Sequence, residues 1–403
     1  MVHKFFIFCF IVLFGSINAE KTSKHVSCEQ QSIQDDIGTA VRQECNSGYQ
    51  VRVLLSEHFI EQDNWDWTIE SEDGFFLTDT VTSDNRWQSS LTKLKISFHN
   101  GFFYINNKRI LKKQFVFRPK NGHLTFESAS YQGNFIVMAD NKRCYLINML
   151  DLEDYVYSVL RTEGWPGWPH EMNKVLAITC RTYVIAMIKE ARECKRAYDV
   201  KNTNEHQTYK GVHTQQVLKR AVEDTKGVFI SHNNQPIIAM FDICCGGVIP
   251  AGIASFNFER APYLARDYAC TYCKDCSSYS WKLSFDKQEL VSYLQKEYPQ
   301  LTTLRDFKIT KKDKAGLVLE AMIKGSKTVL SMTGRKLYST FKGIKSYCFG
   351  ISKKGNTITF NGRGFGHHLG LCQWGARAMV RDGWNYRSIL SFYYPQTKLM
   401  RLL

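Results

Sequence analysis

Beyond its first residues the sequence has no apolar stretch long enough to cross a bilayer, no internal repeat and no low-complexity tract. These absences speak against a multi-span membrane protein, a solenoid and a disordered scaffold. It is also short of acid, with 38 Asp and Glu against 53 Lys and Arg and a net charge of +15. Such a balance favours an acidic or polyanionic neighbour. The basic residues are dispersed and form no block, which argues against a nucleic-acid groove binder. An anionic cell-surface polymer fits better if the chain is exported.

What is present is a globular composition, 44% hydrophobic and 13% aromatic, in a chain of 403 residues that can bury one large core or two moderate ones. Lys4 precedes an apolar run from Phe5 to Phe14, followed by Gly15, Ser16 and Ala19. Residues 1–19 are therefore expected to be a secretory signal. Ile17 fits poorly at the small-residue position before the cut, so an uncleaved anchor is the alternative, and it would be the chain's only membrane attachment. Residues 20–48 are polar and aperiodic and are expected to be a linker. Thirteen cysteines, twelve without Cys9, suit an oxidising exterior. Cys270, Cys273 and Cys276 repeat at a spacing of three, near the adjacent pair Cys244 and Cys245. That pattern admits disulfides, a metal or free thiols, and export favours disulfides.

From Val51 to Phe117 short strand-like runs alternate with the turn signals Asp73-Gly74, Asn100-Gly101 and Asn121-Gly122. The pattern predicts an antiparallel β-rich region over residues 49–140, then a mixed helix and strand region over 141–403, an α+β fold. Helices are expected over Met172 to Arg192 after Pro169, over Thr214 to Thr225, and over Asp286 to Tyr298, with two helical turns before Pro395. A hairpin through Asn233-Asn234 should join Val228–Ser231 to Ile237–Phe241. Strand-like runs follow at Leu317–Ile323 and Thr357–Phe360.

Two segments carry chemistry. In the first, Glu163 stands before Gly164, Trp165, Pro166 and Trp168, on a turn leading into the long helix. Aromatic and proline walls exclude water and disfavour an ionised carboxylate, so its pKa should rise toward the range of a general acid. The tryptophans could stack on sugar faces. An exposed loop acid or a helix cap is the competing reading. Lys174 and Arg181 follow, seven residues apart and so on one helix face, suited to substrate contact or to simple solvation. In the second segment five glycines surround His367 and His368 between Gly362 and Ala376. Such density implies unusual backbone or close approach to a ligand.

Together these residues resemble one family. Tyr155-Val-Tyr, Thr162-Glu163-Gly-Trp-Pro, Lys174, Arg181-Thr-Tyr, Gln207-Thr-Tyr, Gly246-Gly247, Gly362-Arg-Gly-Phe-Gly-His and Gln373-Trp-Gly-Ala are similar, in order and spacing, to the stage II sporulation protein D family. Its members are exported bacterial proteins also grouped with amidase enhancers. The resemblance implies a lytic transglycosylase of peptidoglycan in the periplasm or cell envelope, acting in wall remodelling or division on strands stripped by an N-acetylmuramoyl-L-alanine amidase. It places the catalytic acid on Glu163, with Lys174 and Arg181 beside it. Trp165, Gln207, Gly246, Gly247, His367 and Gln373 are assigned to glycan binding. No cofactor and no metal are expected at these site residues, and export with dispersed charge argues against a nucleic-acid partner. A non-catalytic glycan binder or amidase enhancer is the alternative.

The chain departs from the family pattern in four places. His368 stands where a further glycine is usual, and Cys372 where serine is common. Cys244-Cys245 replaces small hydroxyl residues, and Asp199 to Gln207 offers His206 without the cysteines that ligate zinc in some members.

Overall fold

Alternation sets the first strand: in Gln50–Phe59 the side chains of Val51 and Val53 are fully buried while Arg52 between them turns to the other face. The computed structural model describes residues 49–62, 65–79 and 87–402. The expected signal and linker lie outside them. Among the described residues no helix is long and apolar enough to cross a membrane.

The chain divides into two units, one of Gly167–Tyr183 and Val228–Leu403, the other running up to Pro166 and including Val184–Gly227. The second holds the expected β-rich region. Its seven-stranded sheet runs Val200–Lys201, Gln50–Phe59, Arg143–Asp151, Asn134–Ala139, Gln114–Pro119, Phe75–Thr78 and Trp87–Ser89 in spatial order. A six-stranded sheet runs Ala129–Tyr131, Leu124–Phe126, Asp66–Ser71, Lys93–His99, Phe102–Ile105 and Lys108–Ile110. Edge-to-face contacts of Phe115 with Phe103 and Phe117, at ring separations of 5.3 and 5.4 Å, fill this unit's interior. Asn100 and Gly101 both take left-handed backbone, at φ 50° and 80°, which makes the two-residue hairpin turn expected of Asn-Gly.

Seven helices are described. They are α1 (Leu152–Glu163), α2 (His170–Glu193), α3 (Gln216–Asp224), α4 (Lys287–Gln295), α5 (Gly334–Thr340), α6 (Gln373–Arg381) and α7 (Tyr386–Tyr393). With the sheets they make the α+β fold that the sequence predicts. α2 starts just after Pro169, whose carbonyl accepts from the amides of Met172 and Asn173. α4 is capped by Asp286, whose carboxylate accepts from the Gln288 amide at 2.7 Å.

The first unit has its own aromatic core around Phe285, Phe307, Phe341 and Phe360, between two three-stranded sheets. Its hairpin at Asn233-Asn234 forms, but the second arm is confined to Gln235–Pro236. Ile237–Phe241 does not continue it as predicted, because the Ile238 amide turns to the Tyr263 hydroxyl. Phe241–Asp242 pairs instead with Leu371–Cys372, in parallel. That pairing carries the glycine-histidine segment to the interior of the unit.

Candidate active site

Glu163, expected on a turn, is the end of a helix, and the turn follows it. Asp151 caps α1 by accepting from the Glu153 amide at 2.8 Å, and Glu153 and Asp154 place acid at its positive end. Leu152, Tyr155, Val156, Val159 and Leu160 recur at helical spacing and are all buried. Glu163 is the last helical residue, and the Gly164 amide closes the helix on the Leu160 carbonyl at 2.9 Å.

Glu163 is only 7% exposed. Burial pushes its pKa up to about 8, against the opposing effect of hydrogen bonds from the amide and hydroxyl of Thr208. The amide bond, Thr208 N to Glu163 Oε1, is 2.7 Å. Thr162 next door donates to the Thr208 carbonyl, so the segment bearing Thr208 is held at the helix end by two consecutive residues. A carboxyl in this setting is protonated at neutral pH and has a proton to give. Two other acids of the segment are otherwise engaged: Glu153 accepts from the Gly227 amide and Glu171 pairs with Lys174.

Within the same unit Trp165 is 39% exposed, two residues beyond Glu163, and presents an indole to solvent. Gln207 does not line an open surface: it is fully buried, and its Oε1 accepts from the Tyr155 hydroxyl at 3.1 Å. Tyr155 stacks on Tyr209 at 5.5 Å, whose hydroxyl donates to Asn148 Oδ1 at 2.6 Å. Gln207 thus acts by anchoring the segment that brings Thr208 to Glu163. Tyr209 and Asn148 are supports that sequence reasoning missed, although Tyr209 closes the Gln207-Thr-Tyr motif.

In the other unit, Lys174 pairs with Glu171 and lies 4.9 Å from the centre of the Tyr386 ring. Glu171 also accepts from the Tyr386 amide at 2.9 Å, fastening α2 to the start of α7. Arg181 is fully buried and donates to the Val228 carbonyl at 3.2 Å. The neighbouring Thr182 hydroxyl accepts from the Ile230 amide at 2.9 Å. Arg181 is therefore a tie between α2 and the strand Val228–His232 and presents no guanidinium to solvent.

The glycine-histidine segment is in this unit too. Gly246 and Gly247 have φ of 58° and 71°. A Cβ on Gly246 would lie 2.4 Å from the amide nitrogen of Gly364, so the two glycine runs cross backbone to backbone. His367 Nδ1 accepts from the Leu369 amide at 3.0 Å, and burial beside His368 pushes its pKa down to about 3. A neutral His367 can give or accept a hydrogen bond but carries no charge to a substrate. His368 has left-handed backbone, φ 66°, which accounts for glycine being usual there. Its amide donates to Asp242 Oδ2 at 2.9 Å and its Nδ1–H to the Cys245 carbonyl at 3.0 Å. Gln373 opens α6 and is buried, with Cys372 as the cap. His367, Gln373, Gly246 and Gly247 therefore share one neighbourhood, organised by the pairing of Asp242 with Cys372 and of Cys244 with Phe365.

Comparison with known proteins gives the chain's relatives. Residues 140–232 match the family described as Stage II sporulation protein, and residues 266–370 match a domain of unknown function, DUF8618. The chain is 30% identical over 296 residues to an uncharacterized protein of Brachyspira hyodysenteriae, covering 72% of this chain and 77% of that one. It is 27% identical over 267 residues to Stage II sporulation protein D of Bacillus subtilis, covering 63% of this chain and 75% of the relative. The chain belongs to the stage II sporulation protein D family. An amidase enhancer of Bacillus subtilis is similar over 96% of the chain at 22% identity, and the chain spans 59% of its length. Glu163, Trp165, Lys174, Arg181 and Gln207 all fall in the segment matched to the family, whereas His367 falls in the second match and Gln373 in neither.

Proposed function

We propose that this member of the family is an exported lytic transglycosylase that cleaves peptidoglycan strands in the cell envelope. One observation carries the proposal: the Glu163 carboxyl is held protonated by burial at a helix end and has an exposed tryptophan two residues away. Hydrolases of glycans need two carboxylates, because water must be activated as well as the leaving group protonated. A transglycosylase that makes an internal ring needs one. Protonated Glu163 gives its proton to the oxygen joining N-acetylmuramic acid to N-acetylglucosamine, and the bond from the anomeric carbon to that oxygen breaks. The Glu163 carboxylate then takes the proton from the muramoyl C6 hydroxyl as that oxygen bonds to the anomeric carbon. The product is a 1,6-anhydro ring, Glu163 ends protonated as it began, and no water is consumed.

Burial serves both halves of this cycle. It keeps the acid charged with its proton before cleavage, and it makes the transient carboxylate a stronger base afterwards. Thr208 steadies that carboxylate through its amide. The excess of positive charge on the chain favours approach to an anionic wall polymer. Strands whose stem peptides have been removed by an amidase are the substrate this reading expects. The second reading, a glycan-binding amidase enhancer without catalysis, is favoured by the alignment with the amidase enhancer along nearly the whole chain.

Mass spectrometry of amidase-treated strands incubated with the protein separates the two. Anhydro-muramoyl ends that appear with the wild type and not with Glu163→Gln support catalysis. Strand binding without such ends from the wild type leaves only the second reading. Trp165→Ala is expected to weaken strand binding by roughly five-fold, the equivalent of about 1 kcal/mol for one aromatic stacking contact, with an unchanged melting temperature. A melting temperature that falls along with binding would instead assign Trp165 to packing.

A further inference from the structure

The first unit contains a group of side chains for which glycan cleavage has no use. The sulfurs of Cys245, Cys270, Cys273 and Cys372 all lie within 4.8 Å of one another, and all four residues are buried. They arrive from three separate stretches. Cys372 ends the strand Leu371–Cys372, and Cys245 follows the strand Phe241–Asp242 with which it pairs. Cys270 and Cys273 come from one turn at the Cys-x-x-Cys spacing, with the Cys276 amide closing on the Cys273 carbonyl at 3.1 Å. We propose that these four thiolates hold one zinc ion in a tetrahedral structural site.

Distance separates this from the alternatives. The sulfurs of Cys245 and Cys273 are 3.6 Å apart. Two ligands of a tetrahedral zinc at the usual Zn–S length stand about 3.8 Å apart, whereas a disulfide brings its sulfurs to about 2.05 Å. An iron–sulfur cluster needs its thiolates farther apart than one ion does, because several iron atoms stand between them. Four sulfurs within 4.8 Å of one another are of a size for one ion, and zinc is the ion that four thiolates select.

The surroundings are arranged for anionic sulfur. Cys372 Sγ accepts from the amides of Cys245 at 3.2 Å and Gly375 at 3.3 Å, the latter in the first turn of α6. The Tyr393 hydroxyl lies 3.2 Å from Cys270 Sγ and can donate to it. A side chain at Gly375 would intrude, since a Cβ there would lie 2.7 Å from Cys270 Sγ. Arg266 supplies the counter-charge. It is 1% exposed, its Nε and Nη2 have no hydrogen-bond partner among the described residues, and its guanidinium lies 5.8 Å from the centre of the Tyr393 ring. Its Nη1 donates to the Tyr268 carbonyl, and leaving the other two nitrogens buried and unsatisfied is costly. Four thiolates on one Zn²⁺ would leave two net negative charges, and Cys270 and Arg266 both lie against Tyr393.

Zinc binding also reconciles a thiol cluster with an oxidising compartment, because ligated thiolates are not free to pair. The ion joins the turn at Cys270 and Cys273 to the strand pair beneath the glycine-histidine segment, so its role is to fix that segment.

The test is the metal content of the full chain as purified, measured by inductively coupled plasma mass spectrometry. About one zinc per chain is expected. Cys245→Ser with Cys273→Ser is expected to lose it, and Cys348→Ser, a buried cysteine outside the foursome, to keep it. Should the double variant not fold, cobalt exchanged into the wild type decides the matter through its thiolate charge-transfer and tetrahedral ligand-field absorption. Disulfides among these four cysteines in the metal-free protein, iron with inorganic sulfide, or cobalt without thiolate absorption would each overturn the site.

Discussion

Glu163→Gln is expected to lower turnover on denuded strands by 10²-fold to 10⁴-fold while leaving the protein folded, the loss typical of removing a general acid. The amide keeps the shape of the protonated carboxyl and can still accept from the Thr208 amide, but it has no proton to transfer. In the wild type the rate should fall as pH rises through about 8, where Glu163 gives up its proton. The same shift lowers stability in the same direction of pH. The folded carboxyl holds its proton up to about 8 and a free one only to 4.5, so between those values the folded state binds more protons than the unfolded state. Stability from this group is therefore complete below pH 4.5 and is lost as pH rises through about 8. The difference of 3.5 units corresponds to about 5 kcal/mol. Glutamine has no charge to bury, so the variant should match the wild type in urea denaturation at pH 5 and exceed it at pH 9. Equal stability of the two proteins at both pH values would contradict the burial argument, whatever happens to turnover.

Gly246→Ala should be a strongly damaging small substitution in the first unit. Its Cβ would meet the amide nitrogen of Gly364 at 2.4 Å, the Gly364 Cα at 2.8 Å and the Arg363 carbonyl carbon at 2.9 Å, all main-chain atoms that cannot rotate aside. The left-handed conformation adds roughly 1 to 2 kcal/mol and forced overpacking roughly 1 to 3, so a loss of about 2 to 5 kcal/mol is expected. Gly383→Ala is the control, because it has φ 88° and no atom within 4 Å of its added Cβ. It carries the conformational cost alone. Denaturation midpoints of the two variants should differ accordingly; equal midpoints would mean that the crossing of the two glycine runs gives way easily.

What could be seen in the sequence followed local chemistry. The Asn-Gly and Asn-Asn turns were legible because those residues tolerate left-handed backbone, and the start of α2 because proline fits a helix entrance. The strands Asn134–Ala139 and Arg143–Asp151 escaped notice because they are buried almost along their whole length and show no alternation. α1 was hidden by Tyr155, Val156, Tyr157 and Val159, residue types that favour strands, although its apolar residues do recur at helical spacing. The raised pKa expected of Glu163 followed from its aromatic and proline neighbours. Its contact with Thr208 joins residues 45 positions apart and had no local sign. The sulfur cluster was half visible, in the spacing of Cys270 and Cys273. Cys372 reaches it only through the parallel pairing of two short strands. The left-handed backbone of His368 likewise needed coordinates to explain why glycine is the usual occupant.

The central claim is that burial keeps the Glu163 carboxyl protonated at neutral pH. Carbon-13 NMR of the glutamate-labelled full chain, with the Glu163 resonance assigned by its loss in Glu163→Gln, measures this without reference to turnover. A titration midpoint near 8 is the predicted result; a midpoint at the ordinary value of 4.5 would contradict the account.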